Sequence, residues 1–199
     1  MTVPESSDSR PVFLVTGTPG AGKSSVARAL AGRFSLGMHV DLDSLRLMVV
    51  GGFAFPGFTW EPDVDLQFRL ARGTAVHMVR TYAPEGFTIV VDDMLGPRGD
   101  DPPGLHEYTE LCRDGGVHQV FLKPGLDVTL ARAAARGGEL LPWLGEVIPP
   151  LYRSMESHLT TGWTVVDSSA LTVEETVDEI LARTGVRPPA HDPAEGSTD

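Results

Sequence analysis

The sequence predicts an α/β fold, a three-layer sandwich in which a central five-stranded parallel sheet carries helices on both faces. Three observations predict it. Short apolar runs recur along the chain, separated by stretches with helical spacing. The runs are near-continuous and do not alternate, as in parallel strands buried on both sides. The first of them leads into Gly17-Thr18-Pro19-Gly20-Ala21-Gly22-Lys23-Ser24, a full match to the phosphate-loop pattern G-x-x-x-x-G-K-[ST].

The elements follow in order. Strands are predicted over Val12–Thr16, Met38–Asp41, Phe87–Asp92, Val117–Lys123 and Trp163–Asp167. Helices are predicted over Lys23–Phe34, Ser44–Val50, Asp63–Ala83, Gly104–Asp114, Leu126–Arg136, Glu146–Leu159 and Val173–Thr184. The first helix has Val26, Leu30 and Phe34 at helical spacing. The last opens on Thr172 and Glu175, which suit a capping box. With 199 residues and 41% hydrophobic content, the chain is most simply one domain with a full core. The P-loop NTPase domain is expected over residues 10–186, with a small lid at about 137–145. Residues 1–9 and 187–199 are polar and Pro-rich, and are expected to be disordered tails.

Composition excludes several roles. The net charge of −11 argues against nucleic acid as the main partner. No apolar run reaches membrane-spanning length, and the N-terminus lacks a signal-peptide pattern, so no membrane partner and a cytoplasmic location are expected. The single cysteine, Cys112, permits no internal disulfide, and the six histidines are scattered without metal-ligand spacing. Of 16 cationic residues only Lys23 and Lys123 are lysines. A compact ammonium is kept inside the phosphate loop, where a planar guanidinium would not fit.

The loop chemistry needs these residue types. Glycines let several N–H groups converge on one anion, and the helix N-terminus adds partial positive charge. The nucleotide is expected on Gly17, Thr18, Pro19, Gly20, Ala21, Gly22, Lys23, Ser24 and Ser25, with Lys23 on the β- and γ-phosphates and Ser24 on Mg²⁺.

Ligands of an open parallel sheet bind at the carboxyl ends of its strands, and here the second and third strands end in paired acids. Asp43 sits at a strand-to-helix junction and is the candidate base, facing an acceptor hydroxyl; the alternative is a helix cap for Ser44. Asp41 and Arg46 are candidates for holding the acceptor, Arg46 alternatively being an exposed helical residue. Ile89-Val90-Val91-Asp92-Asp93 reads as a Walker-B strand, with Asp92 as the candidate metal ligand and Asp92 or Asp93 available to the acceptor. Arg132 and Arg136 lie one turn apart before the lid; Arg132 is assigned to the nucleotide and Arg136 to the transferring phosphate, the alternative being that both are solvated surface residues. Phe53, Phe55, Phe58 and Trp60 crowd a segment interrupted by Gly and Pro, and are expected to line the acceptor pocket or to anchor a loop.

The order of these pieces resembles the chloramphenicol phosphotransferase-like P-loop kinases, relatives of shikimate and gluconate kinases and of zeta-type toxins. The resemblance covers roughly residues 11–185 and rests on the phosphate loop, Asp43-Ser44-Leu45, Ile89-Val90-Val91-Asp92-Asp93 and Ala135-Arg136-Gly137. It implies an ATP:alcohol phosphotransferase with Asp43 as base and Arg136 as a lid arginine. Residues 51–83 and the lid depart from the pattern, so it does not extend to chloramphenicol as acceptor.

The leading reading is therefore a kinase using ATP and Mg²⁺ to phosphorylate a small hydroxylated acceptor, plausibly an antibiotic or another secondary metabolite, as a monomer or homodimer. The alternatives are a sugar, nucleoside or nucleotide kinase of primary metabolism and a non-catalytic ATP-binding protein of resistance or regulation. A nucleotide acceptor requires arginines for its own phosphate, and Arg69, Arg72 and Arg80 are the candidates. No Asn-Lys-x-Asp guanine-reading motif is present.

Overall fold

A computed structural model describes residues 10–56, 61–95, 105–113, 116–136, 141–159 and 161–189. Five parallel strands form the sheet among them: β1 Val12–Thr16, β2 Gly37–Asp41, β3 Thr88–Asp92, β4 Val117–Leu122 and β5 Thr164–Val166. Their order is β2-β3-β1-β4-β5. The helices are α1 Lys23–Ala31, α2 Leu42–Leu47, α3 Pro62–Tyr82, α4 Leu105–Arg113, α5 Leu126–Ala135, α6 Leu141–His158 and α7 Val173–Thr184.

Side-chain alternation along the strands builds two cores. Phe13 and Val15 of β1 and Val90 of β3 pack with Val26 and Leu30 of α1 and Val177 and Ile180 of α7. The intervening Val12, Leu14, Ile89 and Val91 pack on the other face with Val64, Phe68, Ala75 and Val79 of α3 and Tyr108 of α4. A smaller cluster joins Phe121 of β4 to Met155 and Leu159. Adjacent residues of one strand thus serve opposite layers.

Three helices depart most from the sequence reading. Helix α1 ends at Ala31, with Gly32 as its C-cap, and Phe34 reaches the core from beyond it, its ring 6.3 Å from that of Phe13. Helix α2 starts two residues early, because Asp41 is its N-cap; Asp41 Oδ1 accepts the N–H groups of Asp43 and Ser44. Helix α6 begins at Leu141 and contains Pro149 and Pro150, so 141–145 of the expected lid are helical. Residues 137–140 of that lid lie outside the described residues, as do residues 1–9 and 190–199 of the expected tails. The capping box at Thr172 and Glu175 is present. Among the described residues, no helix is long and apolar enough to cross a membrane.

Candidate active site

The phosphate loop runs from the end of β1 into α1 at the carboxyl edge of the sheet. Gly20 and Gly22 adopt φ +88° and +94°, a region that side chains with a Cβ avoid. At Gly20 space is closed as well, since a Cβ there would lie 2.3 Å from the carbonyl oxygen of Thr129. The N-cap of α1 is Gly22, and no side chain caps this helix. Its first-turn N–H groups are left for an anion, which is what a phosphate cradle supplies. The Lys23 ammonium folds back over the loop, 3.5 Å from the Thr18 carbonyl oxygen. Burial lowers its proton affinity, opposed by the charges of Asp92 and Asp43 and reinforced by that of Arg136. Lys23 therefore feels the fields of Asp92, Asp43 and Arg136, although Arg136 stands at the end of α5.

Asp92 closes β3 beside the loop. Its Oδ1 accepts from the Ser24 hydroxyl at 3.4 Å, and its Oδ2 pairs with His39 Nε2 at 2.6 Å. Ser24 and Asp92 bring two hard oxygen donors together, a set suited to Mg²⁺, which takes one or two protein oxygens together with phosphate and water. Both Asp92 oxygens are engaged on this side, which sets Asp92 apart from the acceptor role considered for it.

Asp93 is closed off from solvent. Its carboxylate is fully buried on the opposite face of the sheet, where Arg72 donates Nε to Oδ2 at 2.7 Å and Nη2 to Oδ1 at 3.5 Å. Tyr108 donates its hydroxyl to Oδ2 at 3.3 Å. Burial raises the proton affinity of the carboxyl, and Arg72 and Tyr108 pull it back. The expectation that Asp93 binds an acceptor is corrected: strand parity turns it towards α3 and α4, into a buried ion pair.

Asp41 is likewise occupied. Besides the two backbone N–H groups of α2, it accepts the Ser44 hydroxyl on Oδ2 at 2.7 Å. It is the helix cap, the role weighed for Asp43. Asp43 stands in the first turn of α2 with its carboxylate 74% exposed, its Oδ1 3.7 Å from Arg46 Nη1. Desolvation raises its proton affinity against the pull of Lys23 and then of Arg46.

Arg46 is not the exposed helical residue that was the alternative; its side chain is only 4% exposed. Its guanidinium lies 3.7 Å from the Phe68 ring centroid and 5.3 Å from that of Phe53, and its Nη2 donates to the Ala54 carbonyl at 2.9 Å. Gln67 of α3 accepts from the Ala54 N–H at 3.0 Å and donates to the Gly52 carbonyl at 2.7 Å. The aromatic segment is thus stitched to α2 and α3 and does not hang free. Phe55 stands 52% exposed with its ring centroid 6.2 Å from that of Trp143, so the aromatic segment meets α6. Phe58 and Trp60 lie outside the described residues. Arg132 donates to the Ser168 carbonyl at 2.9 Å, tying α5 to the loop after β5.

Sequence reasoning missed His39, Gln67 and Tyr108. For His39 a signal existed: two residues before Asp41 on one strand, it shares that residue's face. Nothing local marks Gln67 or Tyr108.

A model of the family described as chloramphenicol phosphotransferase-like protein matches residues 10–184. The chain belongs to that family. This chloramphenicol phosphotransferase-like chain is an ATP-dependent small-molecule kinase. No curated protein sequence matches it. Among solved structures it is similar to the tunicamycin resistance protein of Deinococcus radiodurans, with TM-score 0.65 and 18% identity, covering 90% of this chain and 99% of that one. It is similar to a sugar kinase from Janibacter, with TM-score 0.61 and 16% identity over 90% of this chain and 96% of that one. A gluconokinase of Sinorhizobium meliloti gives TM-score 0.58 and 21% identity over 87% and 91%. At these identities the likeness is one of fold.

Proposed function

We propose that the protein moves the γ-phosphoryl group of MgATP to a hydroxyl of a neutral or cationic small molecule, with Asp43 as the base. The observation that carries this reading is the division of labour among the acids. Asp41 caps α2, Asp92 faces Ser24 and His39, and Asp93 is locked on Arg72. Asp43 alone of the four keeps an open carboxylate at the cleft. In the proposed step the acceptor oxygen bonds to the γ-phosphorus as the bond to the β-bridging oxygen breaks, and the hydroxyl proton passes to Asp43. Lys23, the open N–H groups at the start of α1 and Arg136 hold the charge of the phosphates. Magnesium at Ser24 and Asp92 would supply further neutralisation of that charge.

The charge of the acceptor follows from the arginines. A phosphorylated or carboxylate acceptor needs a cation of its own. Arg72 is locked on Asp93, Arg80 pairs with Glu110, and Arg46 is held by Phe68, Ala54 and Asp43. Arg69 is exposed on α3. Aromatic Phe53 and Phe55 beside an acidic cleft favour an alcohol with an apolar body and no negative charge. An antibiotic or other secondary metabolite fits that description, and the tunicamycin resistance protein is a fold neighbour of matching theme.

The test is ADP release from the wild-type protein with a panel of alcohols in three sets: neutral, amine-bearing, and carboxylated or phosphorylated. Stimulation by the first two sets is expected. Preference for the anionic set would overturn the charge argument. No stimulation by any set, together with tight ATP binding, would favour a non-catalytic ATP-binding role.

A further inference from the structure

We infer that His39 is a positioning residue that presents Asp92 to the metal. The inference rests on the reading of Ser24 and Asp92 as the Mg²⁺ site. It starts from sheet register. Strands β2 and β3 are parallel, with Asp41 opposite Asp92 and His39 opposite Val90. Partners in register share a face, and neighbouring strands are about 4.8 Å apart. Two carboxylates at this separation repel, and each would turn away from the other if left alone.

The structure holds them apart by two different devices. Asp41 is drawn out of the sheet by α2, its oxygens accepting the N–H groups of Asp43 and Ser44 and the Ser44 hydroxyl. Asp92 is held by His39, whose Nε2 lies 2.6 Å from Oδ2. In this pairing the carboxylate oxygen is the acceptor and Nε2 the donor. With Oδ2 engaged, Oδ1 is the oxygen left facing Ser24, 3.4 Å away. Asp92 therefore offers the metal a single oxygen at a fixed angle, and His39 sets that angle.

The surroundings suit this task. Asp92 is 5% exposed and His39 19%, so the bond is shielded from competing water. His39 also borders a groove of about 560 Å³, lined with it by Ser24, Asp41, Ser44, Arg28 and Met78. A side chain of similar length at position 39 therefore has room. Carboxylates that ligate metals are themselves hydrogen-bonded, and loss of such a partner costs roughly 10–100-fold in metal affinity or activity.

The experiment measures Mn²⁺ binding to the full-length protein saturated with ADP, counting free Mn²⁺ by electron paramagnetic resonance. Variants are His39→Leu, His39→Gln and Asp92→Asn. Metal-free ADP affinity and the urea midpoint are recorded for each. His39→Leu is expected to weaken Mn²⁺ binding by about 10-fold, with metal-free ADP affinity unchanged. His39→Gln, which keeps an N–H donor, is expected to recover most of the loss. Wild-type Mn²⁺ affinity in His39→Leu, while Asp92→Asn loses binding, overturns the role of His39 and leaves the metal site standing. Unchanged binding in Asp92→Asn overturns the metal site itself. A loss in His39→Leu that His39→Gln does not restore, or that follows the urea midpoint, assigns His39 to packing and overturns the inference.

Discussion

Asp93→Ala should destabilise the protein strongly and spare its chemistry. The substitution removes the carboxylate on which Arg72 closes with two donors and Tyr108 with its hydroxyl. Both charged partners are out of water, Arg72 at 4% exposure and Asp93 at 0%. Breaking a buried pair from one side leaves an uncompensated charge, at a cost of about 3–5 kcal/mol. For a chain of this size each kcal/mol moves Tm by about 2–4 °C, so a fall of roughly 6–20 °C is expected. The stranded Tyr108 hydroxyl adds to the loss but not additively, since water admitted to the site solvates both groups. The assay is urea unfolding followed by tryptophan fluorescence, with ATP affinity measured well below the transition. A second variant separates the pair from its packing: Arg72→Met with Asp93→Leu and Tyr108→Phe removes every polar member together, and should recover most of the lost stability. Wild-type stability in Asp93→Ala, with a selective rise in acceptor KM, would refute the argument and return Asp93 to the acceptor pocket.

Lys23→Ala should abolish transfer with little change in stability, because the side chain's bond within the protein is a long one to Thr18; retained turnover would defeat the phosphate-loop assignment. Asp43→Asn should lower kcat by roughly 10²–10⁴-fold while ATP affinity, by calorimetry, stays near wild type. The proposed base must be deprotonated to act, and desolvation raises the Asp43 carboxyl, so activity should fall with decreasing pH above the ordinary carboxylate range near 4. Since Arg46 pulls that carboxyl down, Arg46→Met should move the acid limb of the kcat profile to higher pH, and a shift the other way would contradict the contact. Phe55→Ala should raise acceptor KM and leave ATP affinity alone, because the ring meets Trp143 of α6 and not the phosphate loop.

What the sequence made legible was mostly local. The phosphate loop declares itself because Gly20 and Gly22 need backbone angles that other residues avoid, and because Lys23 and Ser24 follow at fixed spacing. The five strands were legible as apolar runs because a sheet covered on both faces has no polar side to interrupt them. The start of α2 was misplaced by two residues because two acids, Asp41 and Asp43, both suit a cap. Only the backbone leaving β2 decides that Asp41 takes the role. Arg46 was ambiguous for a different reason. An arginine in a short helix reads as solvated, and it is buried because Phe53 and Phe68 cover it.

The fate of Asp92 and Asp93 was legible in principle. Consecutive residues at the end of one strand point to opposite faces, so the two could not both serve one site. What the sequence withheld was which layer α1 occupies. Once α1 lies with Val90, the Val90 parity carries Asp92 to Ser24, and the Val91 parity carries Asp93 to Arg72. The same rule acts on β2, where His39 and Asp41 share the face of Asp92. One face at the ends of β2 and β3 therefore collects two carboxylates and an imidazole beside the phosphate loop. Asp43, already on the first turn of α2, escapes the parity of the strand. It is this step from strand to helix that leaves the Asp43 carboxylate exposed while its neighbours are bound to the protein.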